Sequence, residues 1–106
     1  MIEKYNKLVR DKVPEIIKQK GDVPMTQTLD DDTKYLKALH RKLSEEIDVY
    51  HKDRNVDALA DVLEVIYTLG KYYGKSAEYL EQVRIDKHTQ RGGYENKTFL
   101  VEVQKD

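Results

Sequence analysis

The chain has no cysteine and no tryptophan, and only two prolines and five glycines among its 106 residues. Lack of cysteine excludes disulfides, thiolate catalysis and thiolate metal sites together. Few turn-forming residues, with 37% charged and 39% hydrophobic, suit amphipathic helices better than a sandwich of short strands. Neither sign of charge prevails: 19 basic against 20 acidic residues leave a net charge of −1. That balance gives no general pull toward a nucleic-acid backbone, and no aromatic-and-basic tract is present, so nucleic acid is not an expected partner. No apolar run is long enough to span a membrane, and the opening Met1-Ile2-Glu3-Lys4-Tyr5 lacks a signal peptide's apolar stretch. The expectation is a soluble cytoplasmic protein, not disordered, because its apolar residues are periodic.

Length sets one domain, small enough that a second chain could complete its core. Residues 1–30 read as an arm and loop, 31–91 as a three-helix core and 92–106 as a tail. In the arm, Tyr5 to Arg10 has no helical period, and Pro14 opens a short helix, Glu15 to Lys20, stopped by Gly21. Pro24 and a Thr-Gln-Thr alternation make residues 22–29 a loop with room for a short strand. Acidic Asp30-Asp31-Asp32 and Thr33 cap the next helix, which runs to about Lys52 with Leu36, Leu39, Leu43, Ile47 and Tyr50 on one face. Asn55 caps a third, Val56 to Tyr73, whose apolar residues Val56, Leu59, Val62, Leu63, Val65, Ile66 and Leu69 cover more than half its circumference. Such a helix is expected to be mostly buried, and two neighbours and a short arm are too few to cover it, so a homo-oligomer, most simply a dimer, is expected. Gly74 ends that helix, Ser76 caps a fourth to about Arg91, and Gly92-Gly93 stops it. The β-prone tail Thr98 to Val103 could pair with Thr26 to Leu29. The fold class is an all-α antiparallel helical bundle, its short connections favouring antiparallel neighbours.

On the third helix Asp57, Asp61 and Glu64 fall at i, i+4 and i+7, one narrow acidic stripe. Like charges so placed repel by roughly 0.2 to 0.5 kcal/mol per exposed pair. A divalent cation would reverse the sign, since Mg²⁺ prefers oxygen ligands. The ordinary reading is a solvated face, with Asp57 complementing the helix N-terminus. The second helix adds Glu45, Glu46 and Asp48; Glu46 and Asp53 border its apolar stripe. Packed antiparallel, the two helices could set Glu46 opposite Asp61 across a groove.

On the fourth helix Arg84, Lys87, His88 and Arg91 fall at i, i+3, i+4 and i+7. Cations there could clamp phosphates, or merely complement the helix C-terminus. Lys7 and Arg10 in the arm are similar candidates. Of eight tyrosines, Tyr50, Tyr67 and Tyr73 fall where helix packing would use them, which leaves little for base stacking. His40, His51 and His88 share no zinc-ligand spacing.

Three segments carry a resemblance: Tyr5-Asn6-Lys7-Leu8-Val9-Arg10-Asp11-Lys12-Val13-Pro14; Lys42-Leu43-Ser44-Glu45-Glu46 with Leu59-Ala60-Asp61-Val62-Leu63-Glu64-Val65-Ile66; and Lys87 with Arg91-Gly92-Gly93-Tyr94. In these the chain resembles the MazG-like all-α nucleoside-triphosphate pyrophosphohydrolases, a superfamily that includes the dimeric dUTPases and phosphoribosyl-ATP pyrophosphohydrolase. The Asn-Lys-Leu-Val-Arg-Asp opening is typical of its small phage and bacterial branch.

The resemblance implies hydrolysis of a nucleoside triphosphate to monophosphate and pyrophosphate, extending in some members to clearance of non-canonical nucleotides. It implies Mg²⁺, with Mn²⁺ as a substitute, held by an E-x-x-E pair on one helix and an E-x-x-D pair on the next. Glu46 matches the first acid and Asp61 the last; Val49 and Ala58 stand at the other two positions, and neither can coordinate a cation. Neighbouring acids, Asp48 or Asp53 and Asp57 or Glu64, could rebuild the site, and Glu45-x-x-Asp48 keeps the spacing one residue earlier. Alternatively the chain binds nucleotide with little or no hydrolysis, or is a helical interaction module. The metal candidates are Glu45, Glu46, Asp57, Asp61 and Glu64, with Glu45 or Glu46 as base. Lys87 and Arg91 gain the role of triphosphate ligands, with Lys7 and Arg10 beside them.

Overall fold

The computed structural model describes residues 1–106, and its only regular elements are helices. Its elements are α1 (Val13–Gln19), α2 (Asp32–Asp53), α3 (Val56–Tyr72) and α4 (Ala77–Arg91). Each long helix starts on a side chain that answers orphan backbone donors. Asp31 accepts from the N–H groups of Thr33 and Lys34, Asn55 from Ala58 at 2.8 Å, and Ser76 from Tyr79 at 3.1 Å. The short helix starts at Val13, one residue before Pro14, and ends at Gln19, slightly ahead of the expected span.

Only Arg54 and Asn55 separate α2 from α3, and Arg54 turns the chain in the left-handed region at φ 51°. The two helices therefore run antiparallel. Tyr35 near the start of α2 meets Tyr72 at the end of α3, ring centroids 6.2 Å apart. Leu39, Ala58 and Val65 are the buried residues between them. At the far end, Leu80 of α4 lies over Gly70 of α3. Beyond its approach to α3, α4 comes near no other helix, and α1 packs on none. The bundle is consequently open: its radius of gyration is 18.7 Å and its longest dimension 65 Å, against a radius of about 13 Å for a compact domain of this length.

Three expectations are corrected. No strand forms; Thr98 to Val103 and Thr26 to Leu29 stay unpaired, because β-propensity alone does not supply a partner strand. α3 is not mostly buried in one chain: α2 covers one side, while Val56, Leu59, Leu63 and Ile66 are exposed on an adjacent side. Tyr73 points to solvent, and its neighbour Tyr72 does the packing.

Candidate functional site

Glu45 of α2 and Asp61 and Glu64 of α3 meet the arm. Residues 5–10 cross the hairpin, and a small cleft at the crossing is lined by Asn6, Lys7 and Leu8 with Ala38, Lys42 and Glu45 of α2. From there Lys7 Nζ reaches Glu45 Oε1 at 3.0 Å. Arg10 spans to α3, with Nη2 2.7 Å from Asp61 Oδ1 and Nη1 3.9 Å from Glu64 Oε1. The helical spacing 61, 64 puts both carboxylates on the edge that this guanidinium approaches.

A third cation comes from α2 itself. Lys42 Nζ lies 3.2 Å from both Glu45 Oε1 and Glu46 Oε1, and the Lys42 and Glu46 side chains are only 17% and 14% exposed. Glu45, Glu46, Asp61 and Glu64 are thus answered by Lys7, Arg10 and Lys42 in one mixed-charge surface. Lys42 is the member that sequence reasoning passed over, although its i+3 and i+4 spacing to Glu45 and Glu46 was the available signal.

Burial pushes the Glu45 carboxyl up, but the hydrogen bonds from Lys7 and Lys42 and their positive charges outweigh it and hold the group below its ordinary value. Glu45 is therefore ionised at neutral pH.

The other candidates divide. Asp57 takes part in no ion pair. Val49 is 36% exposed on the Glu45 side of α2, lining with Glu45, Asp48 and Lys52 an open depression of about 430 Å³ that belongs to one helix face. Ala58 is 4% exposed in the core. All the acids offer oxygen donors, the chemistry a hard divalent cation takes. No three of the chain's His, Asp or Glu side chains converge as a ready cage, and Glu45, Glu46, Asp61 and Glu64 each lean on a protein cation.

No cation of the basic edge of α4 pairs with these acids. Arg84 is engaged by Glu81, its Nε 3.1 Å from both carboxylate oxygens. His88 lies under Gly93, where Gly92 at φ 81° turns the chain. Lys87 and Arg91 form no ion pair and remain exposed. Within one chain, then, Lys7 and Arg10 join the acids, and Lys87 and Arg91 do not.

Compared with known proteins, the chain matches no family model, no curated protein and no solved structure.

Proposed function

We propose that this chain is a Mg²⁺-dependent nucleoside-triphosphate pyrophosphohydrolase of the MazG-like kind, working as a homo-oligomer. The observation that carries the reading is the convergence of Lys7 and Arg10 on Glu45, Asp61 and Glu64. Those residues come from three stretches apart in sequence, and all three are among those on which the resemblance rests. Anionic oxygens for a cation and cationic groups for phosphates are then side by side, the two needs of a metal–polyphosphate substrate.

Glu45, Glu46, Asp61 and Glu64 would hold the cation. Bound there, Mg²⁺ or Mn²⁺ would neutralise phosphate charge and activate water. The chain's own groups do the rest. Lys7 and Arg10 orient phosphate oxygens, the guanidinium offering a two-pronged contact that an ammonium lacks. Glu45, ionised and partly exposed, accepts the proton of an attacking water, with Glu46 as the second candidate base.

Self-association rests on the exposed apolar stripe of α3. Val56, Leu59, Leu63 and Ile66 recur at intervals of three and four, all at least 36% exposed. Beside it α4 diverges with Lys87 and Arg91 unpaired. A second copy laid on this stripe would cover the apolar surface, and its α4 is a source of the phosphate-binding cations that one chain keeps away from its own acids.

A panel of canonical and modified nucleoside triphosphates with Mg²⁺ or Mn²⁺, read by pyrophosphate release, tests the activity. Release that Asp61→Asn abolishes supports it; none above a metal-free control across the panel overturns it. A second reading, a nucleotide-binding or helical interaction protein without catalysis, is favoured by Val49 and the buried Ala58 in place of two metal ligands. It predicts no Mg²⁺ binding by calorimetry at millimolar concentration.

A further inference from the structure

Every long-range ion pair of the chain ties the arm to the acids, and the arm has little else to hold it. Its ties to the hairpin are Lys7 with Glu45, and Arg10 with Asp61 and Glu64. No arm residue is buried; Leu8 is half-buried, and α1, which follows, packs on no other helix. Backbone hydrogen bonds around the arm stay local, from Val13 N–H to Arg10 and onward within α1. Both cations are open to solvent, the Lys7 side chain 37% and the Arg10 side chain 56% exposed. Such pairs are weak singly and are screened by salt.

We propose that residues 1–12 form a detachable electrostatic strap. Closed, it occupies the Glu45, Asp61 and Glu64 oxygens with the chain's own cations. Open, it frees the Asp61 and Glu64 oxygens and both cations at once, and leaves Glu45 to Lys42 alone. Lys42 stays behind on both Glu45 and Glu46, because it sits on α2 beside them and is mostly covered. The strap therefore controls Asp61 and Glu64 outright and shares Glu45 with Lys42, and the two helices need not move. Its consequence for catalysis rests on the reading above: a divalent cation and the arm would compete for the same oxygens, and the displaced Lys7 and Arg10 would be free to meet phosphate. The strap itself needs no catalysis.

The absence of cysteine allows a single spin label at Ile2→Cys, an exposed position, in the 106-residue chain. Its mobile fraction reads the open strap. Loss of both Arg10 pairs in Arg10→Ala, or of the Asp61 pair alone in Asp61→Asn, is expected to raise the open-to-closed ratio roughly two- to fivefold, and so is raising NaCl from 50 to 500 mM. The exchanged pair Arg10→Asp with Asp61→Arg is expected to restore the closed fraction, which a merely disordered or unfolded arm would not do. Circular dichroism on each variant confirms that the helices persist. A mobile fraction unchanged by salt and by both single substitutions overturns the strap. MgCl₂ is compared with NaCl at matched ionic strength. Greater release by Mg²⁺ supports competition for the carboxylates, whereas equal release, with the salt and substitution effects present, supports the strap and counts against the metal site. Lack of pyrophosphate release in the activity assay would leave all these readouts intact.

Discussion

Arg10 Nη2 lies 2.7 Å from Asp61 Oδ1 across 51 positions of sequence, and this contact joins the arm to α3. Both side chains are about half exposed, so geometry is short while strength is modest. A double-mutant cycle on Arg10→Ala and Asp61→Asn, followed by urea denaturation, is expected to give a coupling of about 0.2 to 1 kcal/mol. It should shrink in 0.5 M NaCl. A coupling of several kcal/mol would mean the pair is desolvated by a surface that a single chain does not provide.

Acid should loosen the same junction. The folded-state value of Glu45 is lowered from 4.5, through Lys7 and Lys42 acting against burial. A lowered carboxylate contributes stability that is fully present above its unfolded value and lost as pH falls through the folded one. Stability measured without divalent cations should thus be flat with respect to Glu45 from neutral pH down to about 4.5 and decline below it. Glu45→Gln should flatten the decline. Equal slopes in the two proteins would show that other carboxylates set the acid limb.

Much of the scaffold was legible because caps are local. Asp31, Asn55 and Ser76 each needed only a partner two or three residues away, and each helix start follows from it. The arm's contacts were not legible in the same way: Lys7 meets Glu45 and Arg10 meets Asp61 through chain reversal, which no periodicity encodes. Sequence spacing offered Glu46 facing Asp61 across the groove, but the two acids are answered by different cations, Lys42 and Arg10. The tail failed for a related reason. Phe99, Leu100, Val101 and Val103 have strand propensity, yet a strand needs a neighbour, and they remain exposed.

The two positions where the family pattern has acids should respond differently to substitution. Val49 is on the surface of α2, so Val49→Glu should change stability by no more than about 0.5 kcal/mol. Ala58 is in the core, and Ala58→Glu should cost about 1 to 3 kcal/mol through overpacking, more if its carboxylate stays unpaired. Thermal melts separate the cases. Under the pyrophosphohydrolase reading, Val49→Glu also adds an oxygen ligand beside Glu46 and should raise product release. A large stability loss in Val49→Glu and none in Ala58→Glu would reverse this placement.

The apolar stripe of α3 carries the prediction about assembly. A chain that leaves Leu59 47% and Leu63 44% exposed, with Val56 and Ile66 in line, presents a helix face that water solvates poorly. Light scattering on the purified protein is expected to give a mass at least twice 12.5 kDa. Leu59→Glu with Leu63→Glu should shift it to the monomer, whose solution radius of gyration should then approach 18.7 Å, the value of the open chain. Helicity should survive, because Leu39, Ala58 and Val65 between α2 and α3 are untouched by these changes. If Lys87 and Arg91 act from a second copy, the same double variant should lose activity although every acid, Lys7 and Arg10 are in place. A native monomer would remove the basis for both expectations, and full activity in a monomeric variant would assign phosphate binding to the arm alone.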